Sequence, residues 1–261
     1  MQGQLYIRVG VSDGSTHVSD CYAHAPFHYL PPRAFPGEPP LLTIVNSSGG
    51  VLGGDQLDMR IELDPGTMLT LRTQAATKLY RSRGEAARSL SQFSLGADAR
   101  LDYFPDEIIP FAGSDYEQIT MIDLGSGATA LVGEVVTVGR LARDENLAFT
   151  RLALDLRCTG GGRLLLRDRA EIRPADHPLT ARAVLAAATV WGAFYYFTMD
   201  PVEAGLVEGI DEALCAVDGG VGGASRSLCG VIGRVAATSV QAVHESLQRA
   251  REVALRDGAL H

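Results

Sequence analysis

From Gln56 to Leu63 the chain alternates without a break. Gln56, Asp58, Arg60 and Glu62 fall on one face, and Leu57, Met59, Ile61 and Leu63 on the other. A period of two fits a half-buried β-strand. Turn formers bracket the segment. Before it stands Asn46-Ser-Ser-Gly-Gly-Val-Leu-Gly-Gly-Asp55, in which Gly49-Gly50 and Gly53-Gly54 are separated by two residues. Glycine reaches backbone angles closed to residues with a Cβ, so this loop can turn sharply or press against another surface. Asp55 is thereby held at a defined place. After the strand, Asp64-Pro65-Gly66 turns the chain and residues 67–73 return. Thr73-Gln-Ala-Ala-Thr-Lys-Leu-Tyr-Arg-Ser82 follows directly.

The same grammar continues to about Ile172. Alternating or β-branched runs cover residues 41–46, 88–95, 100–104, 116–124, 128–138, 147–156 and 163–172, separated by Gly, Pro and Asp turns. Regular short strands predict a β-sandwich or another layered β architecture. Pro31-Pro32, Pro36 and Pro39-Pro40 predict an irregular early loop. The last third changes character. Asp200-Pro201-Val202-Glu203 offers an N-cap acceptor, a first-turn proline and an N3 glutamate. A helical stripe of Val202, Leu206, Val207, Ile210, Ala213 and Leu214 follows it. Residues 219–225 read as a flexible connector, 228–238 as a strand, and Val240, Val243, Leu247, Ala250 and Ala254 as the apolar face of a second helix. The expectation is a single domain over 1–261, strand-rich over 1–175 and carrying strands plus two helices over 176–261.

A length of 261 residues supports a large core. The net charge of −8 argues against nucleic acid, whose phosphates call for Lys and Arg. Cys21, Cys158, Cys215 and Cys229 have no zinc-motif spacing and suggest no secreted disulfide framework. No signal peptide opens the chain, because residues 4–9 already alternate. The uncharged run 183–199 is short for a membrane helix and reads as a buried core strand. Cytoplasmic location without membrane attachment is expected.

The loop 46–55 and the segment 73–82 resemble the UreD (UreH) family of urease accessory proteins. Within them the resemblance rests on Gly49, Gly50, Gly53, Gly54, Thr73, Gln74, Thr77, Lys78, Tyr80 and Arg81. Further matches fall in order. Leu101-Asp-Tyr-Phe-Pro-Asp-Glu-Ile-Ile-Pro-Phe-Ala-Gly113, with Pro105, Pro110, Phe111 and Gly113, is similar to the family's central motif, and 133–143 and 165–168 also fit. The resemblance implies a mainly β, layered, superhelical (β-helix-like) fold with two C-terminal helices. It also implies a non-enzymatic scaffold that binds UreF directly, UreG through the complex, and the urease apoprotein, with a dimeric accessory complex as one arrangement. Nickel would be in transit, with no tightly bound cofactor.

No nucleotide, nucleophile-elbow or zinc-protease motif occurs in the sequence. Two strand carboxylates fall on apolar parity: Glu134 with Ala130, Val132, Val136 and Val138, and Asp168 with Leu164, Leu166, Ala170 and Ile172. A carboxylate so placed must be paired, protonated, metal-bound or in a wet channel. For each alone a salt bridge is the simpler reading. With Asp55 they could line an oxygen-rich path that holds a divalent cation weakly enough to release it. Two other function classes stay open: a small hydrolase using Glu134 and Asp168 as paired carboxylates, and a β-sandwich binding module without a metal role. His17, His24, His28, His177, His244 and His261 show no ligand pattern. Lys78, Arg81, Arg83 and Arg88 form a basic island that fits either a solvated hairpin end or a dock for an acidic partner. Val243 and Leu247 are expected on a partner-facing apolar stripe.

Overall fold

The computed structural model describes residues 1–12, 14–35, 38–176 and 185–257; Pro36, His177 and His261 lie outside them. The chain opens with β1 (Gln2–Ser12), β2 (Ser15–His24), β3 (Phe27–Phe35) and β4 (Glu38–Asn46). A winding run follows: β5 (Gln56–Leu63), β6 (Met68–Thr73), β7 (Thr77–Leu79), β8 (Ala87–Leu95), β9 (Arg100–Tyr103), β10 (Ile108–Pro110), β11 (Asp115–Leu124), β12 (Thr129–Thr137), β13 (Arg151–Gly160) and β14 (Arg163–Ile172). The last part holds β15 (Val190–Thr198), α1 (Ala204–Cys215), β16 (Gly220–Ser227), β17 (Gly230–Ala237) and α2 (Val240–Asp257).

In the winding run β5, β8, β11, β13 and β14 lie in one sheet, and β6, β9 and β12 in the other. One is ordered β14-β13-β11-β8-β5-β1-β2. The other is ordered β16-β17-β15-β12-β9-β6-β4-β3, with β7 and β10 beside it. Because β5, β8, β11 and β13 pair in parallel, as do β4, β6, β9 and β12, each return to a sheet adds one coil. The result is a β-solenoid of about four turns. An antiparallel sandwich is thereby excluded, since hairpin-linked strands cannot give these parallel ladders.

The alternation seen in the sequence is what stacks the coils. Ile61 of β5 lies beside Phe93 of β8, which lies beside Ile122 of β11. These rows, with Leu69, Leu71 and Leu101 of the facing sheet, form the main core. A second core lies on the outer face of the β12–β15–β17 sheet. There Leu206, Ile210 and Leu214 of α1 meet Val243, Leu247 and Ala250 of α2.

Several local expectations are corrected. The proline-rich stretch is a hairpin, not an irregular loop: β3 is the sheet's edge and skips register between Leu30 and Arg33, where Pro31 and Pro32 sit. His24 closes β2 and His28 lies on β3. Residues 219–225 belong largely to edge strand β16. Its glycine at 222 is needed because a Cβ there would stand 2.7 Å from the Leu214 carbonyl carbon of α1. Helix α1 starts at Ala204, since Glu203 is still extended with φ −65° and ψ 147° and its side chain makes no capping bond. In β14 a register shift opposite Cys158 and Thr159 flips the parity beyond it, so Leu164 is 58% exposed instead of sharing the face of Asp168. Within the uncharged run residues 190–198 are the buried strand β15, and 183–184 lie outside the described residues. Among the described residues no helix is long and apolar enough to cross a membrane.

Candidate functional site

The Gly-rich loop folds over the mouth of the solenoid. Gly49 and Gly54 have φ of +71° and +82°, which only glycine adopts freely. Gly50 instead permits close approach, because a Cβ there would lie 2.7 Å from the Lys78 carbonyl oxygen. The loop is then laced to β7: the Val51 N–H donates to Lys78 O at 2.8 Å, and the Tyr80 N–H donates to Val51 O at 2.8 Å. Strand β7 pairs with β10, so Thr77, Lys78 and Leu79 lie beside Ile108, Ile109 and Pro110. Tyr80 meets Phe111 edge-on at 5.1 Å, and Arg81 packs against Gly113, whose φ is +72°. The three sequence segments 46–55, 73–82 and 101–113 are thus one structural unit. Lys78, Arg81, Arg83 and Arg88 are all exposed on this side of the molecule.

Behind the loop, between the two sheets, lies a cavity of about 300 Å³. Gly49, Gly50, residues 73–78, Pro105 and Asp106 form its outer part. Deeper in, the apolar rows are broken by Ser89, Ser91, Tyr103, Tyr116, Gln118 and Glu134. Glu134 enters from β12, as its parity predicts, and accepts a hydrogen bond from Gln118 Nε2 at 2.7 Å. Burial, reinforced by the nearby Asp168 charge, pushes its carboxyl up to about 7. Burial also pushes the Tyr116 phenol up to about 12 and that of Tyr103 well above the usual range. The deep part of the cavity therefore offers hydroxyls, the Gln118 amide and the Glu134 carboxyl, the last shifted toward neutrality.

Asp168 does not line this cavity. It accepts a hydrogen bond from Tyr195 Oη at 2.6 Å and is paired with Arg234, whose guanidinium also lies 5.3 Å from the Tyr195 ring centroid. Tyr195 thus stands between the two carboxylates as a common neighbour, its phenol raised first by burial and then by the Glu134 charge. Asp55 is elsewhere. It is 4% exposed, accepts from the Leu52 N–H at 2.8 Å and pairs with the amine of Met1 at 2.7 Å. It fastens the loop to the residue before β1 and is absent from the cavity wall. The expected trio of path residues reduces to Glu134 on the cavity and Asp168 behind Tyr195. A paired-carboxylate hydrolase would need both carboxyls facing the cavity, and only Glu134 does so.

A second, shallower pocket abuts the first at Pro105 and Asp106, and is bordered by Arg72, His244 and Gln248. His244 Nε2 lies 3.2 Å from Glu107 Oε2, and burial beside Glu107 raises the Asp106 carboxyl. Among the described residues no three His, Cys, Asp or Glu side chains converge as a metal site would require. Val243 and Leu247 are 0% and 2% exposed. They are the contact of α2 with the second core, so the helix stripe faces inward. Sequence parity found Glu134 but missed Gln118, Ser89 and Ser91. Their inward parity in β8 and β11 was readable, but small polar residues give no signal of a cavity.

The sequence model of one family, described as UreD urease accessory protein, matches residues 1–261. Among curated relatives, the urease accessory protein UreD of Haloarcula marismortui is 36% identical over 76% of this chain and 67% of its own length. That of Deinococcus radiodurans is 34% identical over 67% of this chain and 63% of its own length. The Picosynechococcus protein of the same name is 29% identical over 89% of this chain and 81% of its own. The chain belongs to the UreD family of urease accessory proteins.

Proposed function

We propose that this chain serves urease maturation as a scaffold through which nickel passes, acting with UreF, with UreG held through UreF, and with the urease apoprotein. In this reading Ni(II) is cargo. The supporting observation is the position of Glu134: a carboxyl deep in a hydroxyl- and amide-lined cavity whose outer part carries Asp106, reached under the loop that carries the family resemblance. Oxygen donors hold Ni(II) less firmly than imidazole or thiolate, and a carboxyl whose proton is in balance near pH 7 binds and releases a cation readily. Asp168 lies outside the cavity beyond Tyr195, where Arg234 already neutralises it.

The test is urease activation in cells or lysates supplied with the accessory proteins and limiting nickel. Glu134→Ala should lower activation about tenfold or more, and Glu134→Asp less, while the amounts of UreF, UreG and apo-urease that co-purify stay unchanged. Asp168→Asn should have a smaller effect. Full activation by Glu134→Ala in a complex of normal composition would remove the cavity from nickel transfer.

A further inference from the structure

The turns at the mouth of the solenoid stack one on another. The Gly-rich loop exchanges two hydrogen bonds with residues 78–80. The Phe111 N–H donates to Leu79 O at 2.9 Å, the Ser82 N–H to Gly113 O at 3.0 Å, and the Gly113 N–H to Ala148 O at 2.8 Å. Four corners, residues 49–54, 78–83, 110–114 and 140–149, are thereby bonded into one ladder. At one strand spacing per coil their outer edge spans roughly 14 Å, little more than the width of an α-helix.

This edge is basic in a chain of net charge −8. Lys78 is the only lysine in the sequence, and it stands exposed where its corner borders the cavity. Arg81 and Arg83 follow on the same turn, and Arg143 ends the 3-10 turn Leu141–Arg143 on the last corner. Among the described residues none of these four has a carboxylate within ion-pair reach. Arg140, by contrast, is paired with Glu145 and stands 3.9 Å from the Phe111 ring centroid, and Arg88 lies 3.9 Å from Glu117. Glu85 and Asp144 are the exposed acids of the same edge, so cations are in surplus there. Leu52 on the first corner and Leu141 on the last are 52% and 41% exposed.

Unpaired cationic heads set among exposed apolar side chains are suited to a protein partner, where opposite charge fixes orientation and apolar groups supply the buried centre. A long polyanion such as duplex DNA would run past so short an edge onto a chain that repels it. We propose that this edge binds one acidic segment of a protein partner. Its Asp and Glu carboxylates engage Lys78, Arg81, Arg83 and Arg143, and its apolar side chains cover Leu52 and Leu141. A partner so bound lies beside the cavity mouth, with Lys78 common to both. The assignment is independent of what passes through the cavity.

The experiment uses the full chain and a fluorescein-labelled peptide of alternating Glu and Ala, with binding read by fluorescence anisotropy. Together, Lys78→Glu, Arg81→Glu and Arg83→Glu should weaken binding about tenfold or more. The same change of charge at Arg163, Arg226 and Arg256, exposed elsewhere, should alter it less than about twofold. A second measurement needs no reversed charge. A carbodiimide, which joins a carboxyl to an amine in contact with it, should link the peptide to Lys78, as located by peptide mapping. Lys78→Arg should abolish that link and keep the affinity within about twofold, because the charge remains. Equal weakening by both sets of reversals would mean attraction to net charge alone and would overturn the site. A link confined to the Met1 amine, or no binding of the peptide, would overturn it as well. Tighter binding of duplex DNA or of phosphatidylglycerol vesicles through the same three residues would reassign the edge to a nucleic acid or a membrane.

Discussion

Among the cavity residues Glu134 is a carboxyl moved toward neutrality. Its carboxyl is pushed from 4.5 up to about 7, first by burial and then by Asp168. A raised carboxyl binds its proton more tightly in the folded chain than in the unfolded one. Between these two values folding takes up protons, so its contribution to stability is fully present below the lower value and fades as pH rises through the higher. We expect Glu134→Gln, which keeps the bond to Gln118, to be more stable than the wild type at pH 8 by on the order of 1–2 kcal/mol. The two proteins should converge near pH 4.5; chemical denaturation at several pH values measures this, and a constant difference would show that burial does not shift Glu134. This residue was legible from the alternation of β12 alone, since Glu134 falls in step with Ala130, Val132 and Val136, which are 0%, 2% and 1% exposed. Asp168 was legible only in part. Its parity was right, but its partners Tyr195 and Arg234 come from strands far along the chain, and nothing local in the sequence announces them. Asp55 was misassigned because a residue pinned by glycines can equally anchor a loop or face a cavity.

Among the elements, α2 shows how a correct pattern can be given the wrong partner. Val243, Leu247, Ala250 and Ala254 form one stripe, as their spacing predicts, and all are buried. What the helix packs on is set by β15, β17 and α1, and periodicity carries no information about that. Asp102 of β9 fastens the same helix. It is 1% exposed and receives Arg251 of α2, whose Nε donates at 2.7 Å, together with Arg72 at 3.4 Å. Leu247→Ala should therefore cost about 3 kcal/mol by opening a cavity in the second core, read as a lower midpoint in urea. A folded Leu247→Ala protein of wild-type stability would place this side chain outside the core. Strands β5 and β14 were legible to the residue because both ends are marked by turn formers. Edge strand β16 was not, because its glycines serve the close seat of α1 and resemble a linker.

For the molecule as a whole, β12 ties the two cores together. Its Val132 and Val136 face the solenoid interior, whereas Leu131 and Val135 face the helices. A strand with both faces committed cannot leave one core without disturbing the other. Calorimetry should accordingly show a single transition, and Leu101→Ala in one core and Val235→Ala in the other should both lower it, by a few degrees each. Two separated peaks would mean that the helical layer melts by itself. The same shared sheet has a mechanical side. Gly192 of β15 lies next to β12, and a methyl added there would stand 2.9 Å from Val243 Cγ1 and 3.1 Å from the Glu134 carbonyl oxygen. That missing methyl is a clearance. The helix layer rests on the strand that carries the cavity carboxyl with no spare thickness between them, so any wedge driven in at position 192 must lift α2 or shift the backbone of Glu134.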